Sequence, residues 1–134
     1  VKKRYLAVVE GVLPKQTDEL SHYLSTREGR PFVSRRQDPK SKIARLRYSL
    51  SRQTAEMAEV SIELLTGRKH QIRLQLSALG NPIVGDKRYG AQIELAAAPQ
   101  RIALLAHELH CTHPTTKEEL SFLAQRPPWW PLSP

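Results

Sequence analysis

The chain has 134 residues, of which 40% are hydrophobic and 25% are charged, and its formal net charge is +8. This length suits one domain with a single hydrophobic core, and apolar runs such as residues 102–106 are far too short to cross a bilayer. The sequence therefore predicts a soluble protein of one compact unit. The excess of Lys and Arg is spread along the chain, and it is compatible either with binding to a polyanion or with a role in solubility alone.

The cysteine content and the first residues indicate a cellular compartment. Cys111 is the single cysteine, so an internal disulfide is excluded, and residues 1–11 lack the apolar core and cleavage site of a secretory signal. We therefore expect a reducing, cytoplasmic environment. The chain also opens directly on an apolar strand without an initiating Met, which we interpret as the start of a piece cut from a longer protein.

The first third of the chain predicts a buried strand and a loop. Residues 6–9 form a continuous apolar run that is typical of a strand buried on both faces, and the turn residues Gly11 and Pro14 follow it. Residues 18–26 are compatible with a helix or with a short strand. Residues 31–42 are polar and basic, and we expect them to form a loop.

This basic loop is a candidate for contact with nucleic acid, and Arg35 and Arg36 are its candidate binding residues. A loop whose charges are merely solvated would have the same composition, so both interpretations stay open.

Later segments predict further strands. Apolar and polar residues alternate over 44–50 and again over 60–64, which is the period of two of half-buried antiparallel strands. Residues 105–111 and 119–124 are expected to form a hairpin. Runs of strands with one helix predict an α+β fold, built on a mixed or antiparallel sheet with few helices to cover it.

The one clear helix follows the second alternating segment. Apolar residues recur over 72–79 at spacings of four and three, and Gly80 directly after them is typical of a helix C-terminus. Thr66 is predicted as the N-cap, and Gly67 as the residue that allows a tight turn between strand and helix. The Pro-rich residues 126–134 are expected to be extended, with their two Trp side chains on the surface.

Cations cluster around the predicted start of the helix, at Arg68, Lys69, His70 and Arg73. The free N–H groups and the positive dipole end of a helix N-terminus add to their charge, so an anion site is predicted there. Arg73 lies on the border of the buried face, where a half-buried guanidinium can fork onto a carboxylate or a phosphate. A solvated basic helix start is the alternative interpretation.

Residues 66–90, TGRKHQIRLQLSALGNPIVGDKRYG, resemble the TGR-x-HQIR element and the following G-x-PI-x-GD-x-x-YG loop of the RluA-like RNA pseudouridine synthases. Residues 1–11, 104–114 and 117–128 resemble further segments of that family. The resemblance implies that residues 1–134 are the C-terminal portion of a pseudouridine synthase catalytic domain, and hence part of that fold. It also implies isomerisation of uridine to pseudouridine in rRNA or tRNA, with RNA as the partner and without a metal or organic cofactor.

The resemblance assigns roles to two residues. Arg73 corresponds to the basic residue that pairs with the catalytic aspartate, and Tyr5 to the residue that stacks on the target uracil and has been considered as a proton acceptor at its C5. An arginine keeps a nearby carboxylate ionised, and an aromatic face can hold a flipped base. The alternative for Tyr5 is a plain core aromatic. The other candidates are expected to shape the turn and the pocket: Thr66, Gly67, Arg68, Lys69, His70 and Gln71.

One element of the family pattern does not occur in the 134 residues. Family members carry the nucleophilic aspartate in an HRLD-type motif before the strand that corresponds to residues 1–11, and Asp18, Asp38 and Asp86 match no such motif. We therefore expect no aspartate partner for Arg73 within this chain. Two hypotheses follow: an enzyme fragment that is inactive on its own, or a non-catalytic RNA-binding module derived from the same fold.

A metal site on a late strand is a further possibility that we reject. His107, Cys111 and His113 share one face of that strand, but side chains spaced along a flat strand diverge and no second cluster supplies a fourth ligand. His107 matches a core position of the family instead. The sequence implies no oligomer, and we expect a monomer.

Overall fold

The structure, a computed structural model, describes residues 2–132, which form a seven-stranded sheet and one α-helix. The strands are β1 (Lys2–Glu10), β2 (Thr17–Arg27), β3 (Arg30–Ser34), β4 (Lys42–Gln53), β5 (Met57–Leu64), β6 (Leu104–Thr112) and β7 (Glu119–Leu123). Helix α1 spans Gln71–Ala78, and a single 3₁₀ turn follows at Lys87–Tyr89. The strands lie in the order β3-β2-β4-β5-β1-β6-β7 and every pair is antiparallel, which confirms the predicted α+β class.

Strand β1 lies inside the sheet, as its apolar run predicts. Residues 6–9 are buried, and β1 pairs with β5 on one side and with β6 on the other. The alternating segments 44–50 and 60–64 form the neighbouring strands β4 and β5. Strands β6 and β7 form the predicted hairpin.

In the first third of the chain, the structure decides between two open alternatives for one segment and differs from the sequence expectation for another. Residues 18–26, compatible with either element, belong to strand β2 because β3 and β4 pair with it on both sides. Residues 31–34, expected in a loop, belong to β3, which pairs only with β2. An edge strand tolerates a proline that lacks an N–H donor, so Pro31 makes this strand resemble a loop in sequence.

Helix α1 ends as predicted. Gly80 adopts a φ of +92°, its N–H donates to the Ser77 carbonyl at 3.0 Å, and the Asn81 N–H donates to the Leu76 carbonyl at 3.0 Å. These two hydrogen bonds form a Schellman motif, which satisfies the last carbonyls of the helix.

The start of the helix differs from the prediction. The N-cap is His70, in the left-handed region at φ 56°, and no side chain caps the first turn, so the assignment of Thr66 as N-cap is wrong. Arg68 and Lys69 precede the helix, and of the four cations only Arg73 lies within it. Gly67 does not have a positive φ, so its flexibility is not what the turn requires.

The C-terminal segment packs on the sheet face opposite to α1. Glu59 of β5 is 3% exposed, and its carboxylate accepts from Arg126 Nε at 2.7 Å, Arg126 Nη2 at 2.9 Å and Trp130 Nε1 at 2.8 Å. Trp130 is 8% exposed, so the expectation that it lies on the surface is wrong. Trp129 is partly buried against the same core, and residues 133–134 of the predicted extended tail lie outside the described residues.

This buried carboxylate depends on its hydrogen bonds. Burial alone would raise the pKa of Glu59, but hydrogen bonds from Arg126, Ser51 and Trp130 lower it to about 2. The charged side chain therefore joins the C-terminal segment to the sheet at neutral pH. Within residues 2–132, none of the helices could span a membrane.

The pKa of Glu59 predicts a pH dependence of stability. A carboxyl group whose pKa falls from 4.5 to about 2 on folding contributes stability above pH 4.5, and this is lost as the pH falls toward 2. Glu59→Gln should lower the free energy of unfolding at pH 7 by about 3 kcal/mol. It should also flatten the decline of that free energy between about pH 5 and 2. Urea unfolding across this range measures both effects.

The control is Glu56→Gln, which changes an exposed carboxylate. It should leave stability and its pH dependence close to those of the unmodified chain. A pH dependence of Glu59→Gln that matched the unmodified chain would contradict the role of this carboxylate.

Candidate functional site

A surface groove, which we call the Tyr5 groove, is lined by Tyr5 and by the turn that joins β5 to α1. Its volume is about 730 Å³, and it is lined by Lys3, Tyr5, Leu64, Leu65, Thr66, Gly67 and Arg68. Tyr5 is half-buried and lies across from Ile62 of β5, so its ring packs partly against the core and partly lines the groove. Four of the predicted site residues thus share one groove: Tyr5, Thr66, Gly67 and Arg68.

The buried side chain of Gln71 forms hydrogen bonds to this turn. Its Oε1 accepts from Thr66 Oγ1 at 2.8 Å and from the Arg68 N–H at 2.9 Å, while its Nε2 donates to the Arg45 carbonyl at 2.9 Å. Thr66 Oγ1 also accepts from the Arg45 N–H at 2.9 Å. Thr66 and Gln71 therefore join the turn to strand β4. These hydrogen bonds give both side chains a structural role and do not indicate a catalytic one.

Gln75, one turn further along α1, anchors the helix to the sheet. It is fully buried, and its Nε2 lies 3.1 Å from the Ala44 carbonyl, 3.3 Å from the Leu20 carbonyl and 2.9 Å from His22 Nδ1. Its Oε1 accepts from Gln71 Nε2 at 2.9 Å. Burial lowers the pKa of His22, which favours the neutral imidazole that can accept a hydrogen bond.

Arg73 binds an aspartate of this chain. Its Nε donates to Asp86 Oδ2 at 3.0 Å and its Nη2 to Oδ1 at 2.8 Å, and the Asp86 side chain is 1% exposed. The expectation that no aspartate partners Arg73 within the chain is therefore wrong. The hydrogen bond to Asp86 raises the pKa of Arg73. Arg73 does not line the Tyr5 groove.

Tyr89 packs against this ion pair. The Arg73 guanidinium carbon lies 4.8 Å from the centre of the Tyr89 ring, within the range of a cation–π contact. The Tyr89 hydroxyl lies 2.8 Å from His70 Nδ1. Burial, followed by the charges of Arg73 and Arg88, lowers the pKa of His70, so the imidazole is held neutral. His70 thus orients Tyr89 from the start of the helix.

A second cavity lies on the other side of the same turn. Its volume is about 300 Å³, and it is lined by Leu24, Ser25, Thr26, Pro31, Lys40, Lys42, Gly67, Arg68 and Lys69. The Arg68 Nε donates to the Ile43 carbonyl at 3.0 Å, which holds this side chain beside β4. Gly67 and Arg68 therefore line both cavities.

Other candidates lie elsewhere. Arg35 and Arg36 are exposed in the connection between β3 and β4 and line neither cavity. His107 Nδ1 lies 2.7 Å from the Ala124 carbonyl, and Cys111 is a free thiol. Over residues 2–132, no group of three or more His, Cys, Asp or Glu side chains could hold a metal ion.

The chain resembles known proteins over most of its length. A sequence profile described as RNA pseudouridylate synthase matches residues 1–78. The chain belongs to the RNA pseudouridylate synthase family. It is 37% identical over 124 residues to a dual-specificity RNA pseudouridine synthase RluA from Pasteurella multocida, a match that covers 92% of this chain and 56% of that protein.

Two further proteins illustrate how far the family resemblance extends. An uncharacterized RNA pseudouridine synthase, YjbO of Bacillus subtilis, is 32% identical over 127 residues, covering 95% of this chain and 44% of that protein. The solved structure of human RNA pseudouridylate synthase domain containing 1 superposes with a TM-score of 0.75 at 26% identity, covering 92% of this chain and 54% of that one. The chain thus spans about half the length of these family members.

The sequence did not identify several residues that shape the site. Gln75 stands among apolar residues of α1, four positions after Gln71, and a polar side chain on a buried helix face is a detectable signal. Asp86 and Tyr89 belong to the quoted GDKRYG segment, but their contact with Arg73 depends on how that loop folds back. Lys42 belongs to the basic segment predicted to contact nucleic acid, but it is more than 20 residues from the turn, and no local pattern predicts that it lines a cavity with Gly67 and Arg68.

The Arg73–Asp86 pair predicts a measurable cost for its removal. Arg73→Met leaves the buried Asp86 carboxylate without its partner, so the free energy of unfolding of this chain should fall by about 3 kcal/mol. Arg88→Met, which removes an exposed neighbouring cation, is the control and should have little effect. Chemical denaturation of both variants measures the difference, and equal stabilities would mean that the ion pair does not form.

Proposed function

We propose that this chain contributes the uracil-binding and RNA-binding half of an RNA pseudouridine synthase, which isomerises uridine in rRNA or tRNA. The observation that carries the proposal is the groove that Tyr5 shares with Thr66, Gly67 and Arg68. An aromatic wall provides a stacking surface for a base taken out of its helix, and cations at the rim attract the phosphates beside it. The partner is RNA in the cytoplasm, the chain acts as a monomer, and the reaction requires no metal or organic cofactor.

Under this proposal Tyr5 stacks on the target uracil, as its position in the groove supports. The other walls position the nucleotide: Leu64 and Leu65 offer apolar contact at the side of the base, and Lys3 and Arg68 are the nearest cations in the lining. Such a site can hold any flipped pyrimidine. We propose uridine in particular because the chain belongs to the RNA pseudouridylate synthase family.

Arg73 has a more specific proposed role. Its Nε and Nη2 donate to Asp86, whereas its Nη1 donates no hydrogen bond to any residue in the range 2–132. We propose that Asp86 and the Tyr89 ring hold the guanidinium so that its remaining edge pairs with a nucleophilic aspartate. Asp86 is then a positioning residue for Arg73, since its carboxylate is buried and already occupied.

The alternative is a non-catalytic RNA-binding module. Asp18, Asp38 and Asp86 do not line the Tyr5 groove, so the chain by itself supplies no nucleophile there, as both hypotheses expect. The Asp38 carboxylate accepts from the Lys40 N–H at 2.8 Å in the loop before β4, and Asp18 lies in β2. Both hypotheses predict RNA binding by the chain, and only the first predicts that the groove serves catalysis in a longer protein.

The chain alone should bind RNA without modifying it. Because no aspartate lines the groove, the purified 134 residues should form no pseudouridine in total rRNA or tRNA. Binding should weaken steeply as the salt concentration rises, since contacts to phosphates release counterions. Mass spectrometry of digested RNA and a salt titration of affinity test the two statements. Pseudouridine made by the chain, or affinity that ignores salt, would contradict them.

In the natural gene product that contains this chain, Arg73→Lys tests the enzyme hypothesis. Lysine keeps the charge but cannot form two parallel hydrogen bonds to Asp86 while presenting a further edge to a nucleophile. We expect turnover to fall by at least about 100-fold while RNA affinity changes by less than about threefold. Equal losses of turnover and affinity would place Arg73 in RNA binding only.

A further inference from the structure

Gly67 lies at a position where the structure leaves room for a side chain. It is exposed, its φ is not in the left-handed region, and a Cβ added to it would meet no atom within 4 Å. Neither backbone strain nor packing therefore explains a glycine here. It lines both cavities, so a side chain at this position would occupy open space beside them.

The second cavity, of about 300 Å³, is suited to an anion, and we call it the basic cavity. It is lined by four cations, Lys40, Lys42, Arg68 and Lys69, and by no carboxylate. None of these side chains forms a salt bridge with another residue in the described part of the chain. The cations come from the β3–β4 connection, the start of β4 and the turn before α1, so the fold brings them together from separate segments.

The opposite face of the sheet shows a different arrangement of charge. There, paired strands align Glu108, Arg4, Glu63, Arg47 and Glu19 in one row of alternating sign. Arg47 contacts Glu19 at 3.1 Å. Cations with carboxylate neighbours attract a polyanion weakly, so the unpaired cations beside Gly67 are the better site for phosphate.

We propose that single-stranded substrate RNA crosses the chain at Gly67. One phosphodiester group lies in the basic cavity, and the adjoining base lies in the Tyr5 groove on the other side of the glycine. The absence of a side chain lets the sugar–phosphate backbone pass close to the protein backbone between the two. Arg68 faces both cavities and so contacts the strand at the crossing point. This inference rests on the proposed function only in taking the Tyr5 groove as the place of the base.

A steric variant tests the crossing point. Gly67→Val adds a side chain in open space, so it should not lower the free energy of unfolding by more than about 1 kcal/mol. We expect it to weaken binding of a fluorescent uridine pentamer by at least about tenfold, which is the effect of removing one charge-assisted hydrogen bond to a phosphate. Gly67→Ala should weaken binding less. A valine variant that binds as tightly as the unmodified chain would overturn the inference, as would a chain that does not bind the pentamer.

A charge variant tests the basic cavity. Lys40→Gln with Lys42→Gln should reduce the slope of log affinity against log salt by up to about 0.7, the value for one phosphate of a single strand that is no longer neutralised. The matched control, Lys15→Gln with Arg52→Gln, removes the same charge from exposed positions outside both cavities. A pentamer with one neutral methylphosphonate at the engaged linkage should lose more affinity for the unmodified chain than for the Lys40/Lys42 variant, in which only Arg68 and Lys69 still line the cavity. Equal slopes for the two double variants would overturn the inference.

These measurements separate the inference from the proposed function. If the Gly67 and lysine variants behave as expected and the natural gene product forms no pseudouridine, the RNA path stands and the enzyme assignment fails. If the gene product forms pseudouridine and every variant binds the pentamer like the unmodified chain, the enzyme assignment stands and the path is wrong.

Discussion

The buried amide pair of Gln71 and Gln75 is the interaction on which the site depends. Gln75 binds backbone carbonyls of β2 and β4. Gln71 donates a hydrogen bond to Gln75 and accepts from Thr66 and the Arg68 N–H, so it connects the turn to this anchor. Within residues 2–132, no buried side-chain polar atom lacks a partner. A buried amide left unpaired costs about 1–3 kcal/mol, so this network favours one position of the turn over its alternatives.

The same network connects the two regions that the proposed function requires. On one side of α1 it holds Arg68 between the Tyr5 groove and the basic cavity. Within the helix it sets the direction of Arg73, whose guanidinium then meets Asp86 and the Tyr89 ring. Arg68 and Arg73, the proposed partner of the nucleophile, therefore both take their positions from one short helix on the sheet.

Features set by local sequence could be predicted, whereas those set by distant contacts could not. The apolar alternation of β4 and the Schellman end of α1 at Gly80 depend on neighbouring residues, and the structure confirms them. The helix begins after His70, and its first residue, Gln71, binds the Arg45 carbonyl 26 residues away, so the local signal at Thr66 predicted the wrong N-cap. Trp130 is buried in the hydrophobic core and donates a hydrogen bond to Glu59, 71 residues away, and a Pro-rich segment gives no sign of such a partner.

Gln71→Met tests most directly whether the position of the turn, rather than the number of cations, determines RNA recognition. Methionine has a similar length and leaves the net charge unchanged, but it removes the hydrogen bonds that hold Thr66 and Arg68. The measurement is the affinity for a uridine pentamer at a temperature where denaturation curves show both proteins to be folded. A decrease of about tenfold or more is the predicted result. Unchanged affinity in the folded variant would contradict this role of the turn.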